Sequence, residues 1–247
     1  MFELGYWVKR IAAPRAFDAV AQRWSVRCRI AAAVLLLPAL SWAIFFLPRE
    51  KYMGESIRIL FIHVPCAWMS LWVLVWIAAW SAVGLIWHLK LAELLAMAAI
   101  PLGLLFTCAT LLTGSIWGRS TWGTFWEWDP RLTSELLLLF VYLGIHGLHQ
   151  AIEEPRRAAR AAGFFALIGL SLLPVIHYSV VWWHSLHQGQ TIHLFRPSPM
   201  YGLPIVAAVV AGHYCWFFAA VLSRARIAQL ERMRSAHLAK HGVRSRQ

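Results

Sequence analysis

The sequence predicts an all-α integral membrane protein, a bundle of six transmembrane helices. Of its 247 residues, 60% are hydrophobic and only 14% are charged, and the mean hydropathy is +0.59. Because water-soluble domains carry about 25% charged residues, this composition is typical of a membrane protein. The apolar residues also occur in runs that approach or exceed the ~20 residues with which a helix crosses a bilayer.

Six apolar runs are each predicted to form one membrane-spanning helix. In chain order they cover residues 30–48, 59–87, 92–117, 132–150, 161–182 and 200–222. The first run follows a basic tail, and no small-residue cleavage site comes after it, so we expect it to be retained rather than removed as a signal peptide. Prolines inside the runs, such as Pro174, are expected to kink the helices, because neighbouring helices can satisfy the freed backbone groups.

The runs divide the chain into a tail of residues 1–29, a six-span domain of residues 30–222 and a basic tail of residues 223–247. Of the 23 Lys and Arg residues, 17 fall in the two tails and in the second and fourth connecting segments. Because such residues concentrate on the cytoplasmic side, we expect both tails inside and the first, third and fifth connecting segments at the outer face. The net charge of +12 is therefore interpreted as a topology signal that contacts membrane lipid, and nucleic-acid binding is not expected.

The third connecting segment contains WGTFWEWDP, with three tryptophans in seven residues. In an extended chain Trp122, Trp126 and Trp128 would share one side, whereas in a helix Trp122, Phe125 and Trp126 would do so. Either arrangement makes a flat aromatic surface for a large planar ligand, and Gly123 allows the backbone to approach it closely. An aromatic belt at the membrane boundary is the alternative interpretation.

Asp129 directly follows this aromatic cluster and precedes Pro130 at the predicted start of the fourth span. Aspartate before proline is a common way to begin a helix, because its carboxylate accepts hydrogen bonds from otherwise unpaired backbone N–H groups. A contact with the ligand is an equally good explanation. Both interpretations of Asp129 stay open.

Histidines occur in two further outer segments. His63 lies near the outer end of the second span, and the fifth connecting segment contains His184, His187 and His193. Haem iron takes imidazole as an axial ligand, whereas a structural zinc site requires cysteine or more closely spaced ligands, so this pattern favours haem. Six outer basic residues are candidates to bind haem propionates: Arg49, Lys51, Arg58, Arg119, Arg131 and Arg196.

Four motifs carry a family resemblance: FIHVPCAW, GSIWG, WGTFWEWDPRLTSE and PVIHYSVVWWHSLHQG. Together they resemble the WWD haem-handling membrane proteins, and among these the cytochrome c maturation protein C (CcmC) family of bacterial system I. The resemblance covers all six spans. It implies that haem b binds at the periplasmic face between two axial histidines, His63 and His187, with His184 as the alternative to His187. The residues expected to line the haem are Trp122, Gly123, Phe125, Trp126, Trp128 and Asp129.

The resemblance also implies a function and partners. Members of the family sit in the bacterial inner membrane and present haem to the periplasmic haem chaperone CcmE, alongside the ABC-type subunits CcmA and CcmB and the small membrane protein CcmD. We expect a delivery protein rather than an enzyme, because two axial imidazoles leave no open iron position and no nucleophile–base pair is visible. The alternatives are a haem b electron-transfer or oxidoreductase subunit, and a structural membrane protein with an aromatic belt.

Overall fold

A computed structural model describes residues 13–49, 51, 53–187 and 203–240, most of which are helical. The helices are α1 (Pro14–Phe45), a short 3₁₀ helix (Glu55–Ile59), α2 (Leu60–Trp87), α3 (Lys90–Trp122), α4 (Pro130–Ala151), α5 (Pro155–Gly169), α6 (Leu172–Trp182) and α7 (Leu203–Lys240). Among the described residues, six helical segments are long and apolar enough to cross a membrane, one of them formed by α5 and α6 together. The predicted all-α, multi-pass membrane fold is confirmed.

Three helices begin with a proline. Pro14, Pro130 and Pro155 occupy the first turns of α1, α4 and α5, where a missing backbone N–H costs nothing. The carboxylates of Asp129 and Glu154 cap α4 and α5 by accepting hydrogen bonds from the first backbone N–H groups. These helix starts therefore follow from short local patterns in the sequence.

The fifth span is interrupted rather than smoothly kinked. Its first part, α5, ends at Gly169, and α6 begins at Leu172 with Pro174 in its first turn. Proline has no N–H to donate to the carbonyl four residues earlier, so the hydrogen-bond ladder loses one bond there, although α1 and α3 continue through Pro38 and Pro101. The distortion expected at Pro174 is thus a break just before it.

The first and last helices pack along each other in antiparallel orientation. The Asp18 carboxylate pairs with Arg226 at 2.7 Å, and farther along the pair Leu36 lies against Gly212. Both helices extend well beyond the predicted spans. The first, α1, has 32 residues and α7 has 38, which correspond to lengths of about 48 and 57 Å. The hydrocarbon core of a bilayer is only about 30 Å thick, so this helix pair projects beyond it.

The centre of the bundle is the contact of α2, α3 and α4. Tyr142 of α4 is completely buried and donates a hydrogen bond to the Ser70 carbonyl oxygen of α2 at 2.6 Å. Gly103 of α3 makes room for the tyrosine ring, because a Cβ atom there would lie 2.0 Å from it. This close packing holds α4 directly against α2 and α3.

Candidate functional site

A cavity of about 70 Å³ opens at the end of the bundle where α2, α3, α4 and the segment after α6 meet. Its walls are mostly aromatic and aliphatic, with two imidazoles as the main polar groups. Concave, largely apolar sites with a few well-placed polar groups are the usual form of a small-molecule site. The cavity is lined by His63, Gly114, Trp117, Thr121, Trp122, Leu132, Leu186 and His187.

His63 lies near the start of α2, and its side chain is buried. Its Nδ1 atom is 3.0 Å from the hydroxyl oxygen of Thr113 on α3. Thr113 donates its single proton to the Ala109 carbonyl oxygen at 2.6 Å, as threonines in helices commonly do. The hydroxyl therefore accepts from His63, so that Nδ1 carries the imidazole proton and Nε2 keeps a free electron pair.

Two glycines of α3 provide the space for the site. A Cβ atom on Gly114 would lie 2.9 Å from Cε1 of His63, and one on Gly118 would lie 2.7 Å from the Trp122 ring. Real Cβ atoms do not approach neighbours this closely, because close-packed side chains cannot overlap. The glycines of the GSIWG motif therefore let one imidazole and one indole lie directly against the helix.

His187 faces His63 across the cavity. The two ring centres are 6.4 Å apart, and the ring planes are inclined by 37°. Two imidazoles that bind one metal ion from opposite sides, each with a nitrogen about 2 Å from the metal, have ring centres about 6 Å apart. The neighbouring His184 is exposed and is not part of the lining, and His193 lies outside the described residues.

The WWD loop, residues 122–129, leaves α3 through a left-handed turn. Gly123 has a φ of 89° and ends the helix, a conformation that glycine adopts without strain. Trp122, the last residue of α3, lines the cavity. Trp126 packs edge-to-face on Trp128 at 5.6 Å, and Trp128 itself is 76% exposed.

Neither of the one-sided arrangements considered for the WWD loop describes it fully. Trp122 and Trp126 are partly buried, whereas Phe125 and Trp128 are exposed. Phe125 lies beneath the guanidinium of Arg119, 5.8 Å from its ring centre. Of the six residues expected to line a ligand, only Trp122 belongs to the cavity lining.

Asp129 is buried, and both of its carboxylate oxygens accept hydrogen bonds from the backbone. One oxygen accepts from the N–H groups of Arg131 at 2.8 Å and Leu132 at 3.2 Å, which is the helix cap. The other accepts from the N–H of Leu186 at 2.8 Å, in the segment after α6. Asp129 is therefore an N-cap, and it also connects the WWD loop to the segment that carries His187.

The basic residues proposed for propionates have partners within the protein where the structure describes them. Arg49 and Arg58 both pair with Glu55. Arg119 donates to the Gly123 carbonyl oxygen, and Arg131 donates to the Ile176 carbonyl oxygen at 2.7 Å. Lys51 lies in the segment before the 3₁₀ helix, and Arg196 lies outside the described residues.

Three indole N–H groups around the cavity are buried and have no hydrogen-bond partner among the described residues. They belong to Trp117, Trp122 and Trp126, and the first two line the cavity. An unpaired buried donor costs about 1–3 kcal/mol. The site can therefore supply hydrogen bonds to a ligand that brings acceptor oxygens.

Sequence reasoning about single residues missed several members of the site, although the GSIWG motif contains two of them. Gly114, Trp117 and Thr121 follow one another at intervals of three and four residues, which places them on one face of α3. That spacing is a usable signal. Thr113, Leu132 and Leu186 carry no such signal, because each contributes only through a contact between distant parts of the chain.

Comparison with known proteins gives a consistent set of relatives. The family model CcmC, described as Heme exporter protein C, matches residues 7–240. Heme exporter protein C of Escherichia coli (strain K12) is 47% identical over 162 residues, which is 66% of this chain and 66%, just under two thirds, of that protein. Heme exporter protein C of Haemophilus influenzae is 37% identical over 204 residues, 83% of this chain and 82% of that protein. The putative cytochrome c biosynthesis ccmC-like mitochondrial protein of Marchantia polymorpha is 42% identical over 160 residues, 65% of this chain and 68% of that protein.

Proposed function

The chain belongs to the Heme exporter protein C (CcmC) family, and from this membership we propose that it binds haem b at the periplasmic face of the bacterial inner membrane and delivers it for c-type cytochrome biogenesis. The observation that carries the proposal is the pair His63 and His187, whose ring centres lie 6.4 Å apart across one cavity. This is the separation that two axial imidazoles on one iron require. His187 is preferred to His184, because His184 is exposed outside the cavity.

The residues around the two histidines fit haem in their chemistry. The unpaired indole N–H groups of Trp117 and Trp122 can donate to propionate oxygens, and the apolar walls suit a porphyrin. Thr113 leaves Nε2 of His63 free to bind a metal. A cavity of about 70 Å³ is smaller than a porphyrin, so we expect the segment of residues 183–187 to move aside while haem enters and His187 to return to its place opposite His63 once the iron is bound.

The proposed role of the WWD loop is to hold and shield the haem beside these ligands. Trp122 would contact the ring directly, whereas Gly123, Phe125, Trp126 and Trp128 would approach it as the site widens. Haem held by two imidazoles has no open iron position for oxygen chemistry. This supports haem transport and delivery rather than catalysis of a reaction.

The proposed orientation places both termini in the cytoplasm. It rests on the excess of Lys and Arg in the tails and in the second and fourth connecting segments. The cavity then opens to the periplasm. In this proposal residues 30–222 form the membrane domain, and residues 1–29 and 223–247 form cytoplasmic tails, into which α1 and α7 extend as helices.

The proposed partners follow from the family. A periplasmic haem chaperone, CcmE, would take the haem from the open side of the cavity, where Phe125 and Trp128 are exposed. CcmA, CcmB and CcmD would associate with the membrane domain. The outward side chains of α1, among them Val34 and Leu37, would contact lipid or one of these subunits.

Spectroscopy of the purified protein tests the axial ligands. We expect the wild-type protein to carry one haem b per chain with the absorption spectrum of a six-coordinate, low-spin iron. His63→Ala and His187→Ala should each lose most of the haem or the low-spin spectrum, because one axial ligand is removed. His184→Ala is the matched control, and it should keep both.

Two results would contradict the proposal. Full haem content and an unchanged Soret band in both His63→Ala and His187→Ala would show that other residues bind the iron. Two haems per chain would instead favour a membrane electron-transfer or oxidoreductase subunit. Transfer is tested separately, by adding purified CcmE to the haem-loaded protein and measuring whether the haem moves to it.

A further inference from the structure

We propose that Asp129 is a positioning residue for His187: its carboxylate joins the start of α4 to the segment after α6 and so holds the second imidazole opposite His63. The proposal rests on the proposed function in that it takes His187 as an axial ligand. It assigns Asp129 a role different from direct contact with haem, and it explains why a helix cap at this place is an aspartate.

The two carboxylate oxygens of Asp129 bind different parts of the chain. One oxygen serves the N–H groups of Arg131 and Leu132, which a serine or asparagine could serve equally well. The other reaches the N–H of Leu186, 57 residues along the chain, at 2.8 Å. Only a side chain with two acceptor oxygens can make both sets of bonds at once.

The bond to Leu186 lies directly beside the proposed axial ligand. Leu186 directly precedes His187, and both residues line the cavity. The acceptor of this bond is buried, since Asp129 is only 6% exposed, whereas Leu186 itself is exposed; a hydrogen bond to a carboxylate is stronger than one between neutral groups. The bond therefore fixes the backbone one residue before His187, the proposed axial ligand.

A second bond from the same helix start holds the preceding element. Arg131 donates to the carbonyl oxygen of Ile176, in the middle of α6, at 2.7 Å. The first turn of α4 thus contacts the segment that leads to His187 at two points, once in α6 and once after it. Arg131 anchors α6 to the start of α4, and Asp129 sets the position of the chain that follows α6.

This geometry also explains how the site can open. The bond to Leu186 lies outside the packed contact of α2, α3 and α4, so breaking it loosens the segment without disturbing the core of the bundle. When Asp129 holds the segment, the two imidazoles stay at the separation for one iron. When the bond is absent, the segment moves and His187 is lost as a ligand first, while His63 is retained by Thr113.

Asp129→Ser separates the two functions of the side chain. Serine is a good N-cap, but its single, shorter hydroxyl cannot also reach Leu186. Asp129→Asn is the second variant, because it keeps the size of the side chain and removes one acceptor. The matched control is Glu154→Ser, which changes the corresponding cap of α5; within the described part of the chain, that carboxylate contacts its own helix start, at Arg156 and Arg157.

The first measurement uses the full-length protein without haem and is hydrogen exchange of the peptide that contains Leu186. We expect exchange there to be roughly ten- to a hundredfold faster in Asp129→Ser than in the wild type, which corresponds to loss of a charge-assisted hydrogen bond. Glu154→Ser should leave this peptide unchanged. A protection equal to the wild type in both Asp129 variants would overturn the proposal.

The second measurement uses the haem-loaded protein. Asp129→Ser and Asp129→Asn should shift part of the haem from six-coordinate low-spin to five-coordinate high-spin, and free imidazole should restore the low-spin spectrum, as it should in His187→Gly. A low-spin spectrum in both Asp129 variants would overturn the positioning role. If His187→Gly itself leaves the wild-type spectrum unchanged, the axial assignment fails, and the positioning of a ligand by Asp129 falls with it; hydrogen exchange then still shows whether the bond to Leu186 exists.

Discussion

At the scale of single residues, Thr113 helps to set the orientation and the tautomer of the His63 imidazole. Its hydroxyl donates to Ala109 and accepts from Nδ1 of His63. Thr113→Val keeps the shape of the side chain and removes this acceptor, so the imidazole loses the side-chain hydrogen bond that orients it and favours this tautomer. Because partners of metal-binding histidines are worth about 10- to 100-fold in affinity, we expect haem affinity to fall by about that factor, as measured by absorbance titration.

Two further variants control for this effect. Thr107→Val removes a hydroxyl that donates to its own helix at Gly103, without a histidine partner, and should bind haem like the wild type. Thr113→Ser retains the hydroxyl and should retain most of the affinity. Wild-type affinity in Thr113→Val would exclude the role given to Thr113.

The histidines themselves are recognisable in the sequence, whereas their neighbours are not. His63 and His187 stand in short motifs that resemble a known family. Thr113 gives no signal of its own, because a threonine in an apolar helix usually bonds only to its own backbone. Asp129 was equally well explained as a cap or as a ligand contact. The structure places its second oxygen on Leu186, a contact that sequence reasoning did not consider.

At the scale of helices, the contact of α3 with α4 depends on Gly103. A methyl group there would lie 2.0 Å from the Tyr142 ring, and the ring is buried on all sides. We therefore expect Gly103→Ala to lower the free energy of unfolding by about 1–3 kcal/mol, the usual effect of overpacking. Thermal unfolding of the purified protein in detergent, followed by tryptophan fluorescence, measures it as a lower Tm.

Gly147→Ala is the matched control for this prediction. Gly147 lies in α4, and a Cβ atom there would have no neighbour within 4 Å. Since alanine favours a helix over glycine by up to about 1 kcal/mol, the Tm should stay the same or rise. An unchanged Tm in Gly103→Ala would show that α3 and α4 can separate at no cost.

The helix boundaries differ in how far the sequence could predict them. The start of α4 is encoded locally by Asp129 and Pro130, and it lies within two residues of the predicted span. The ends of α1 and α7 toward the termini were not predicted, because Asp18 and Arg226 belong to polar tails. These two tails are helical since each packs against the other, and hydropathy contains no information about such pairing.

At the scale of the whole molecule, the arrangement of the spans predicts which loops face which side of the membrane. Glu127 and Glu153 are exposed residues just beyond the two opposite ends of α4. Glu127→Cys should react with a membrane-impermeant maleimide in intact cells, and Glu153→Cys should react only after the membrane is permeabilised. The reverse labelling pattern would invert the proposed orientation, and the wild-type chain measures the background from its native cysteines.

The sequence by itself determined the class of fold, the six spans, the expected orientation and the histidines that bind haem in the proposal. These depend on composition, on the length of apolar runs and on short motifs, all of which are local along the chain. Only the tertiary structure decided that His63 and His187 face each other, that Thr113 and Gly114 support the first, and that Asp129 reaches the backbone beside the second. Those contacts join residues about 50 or more positions apart, and such pairings arise from how the helices pack.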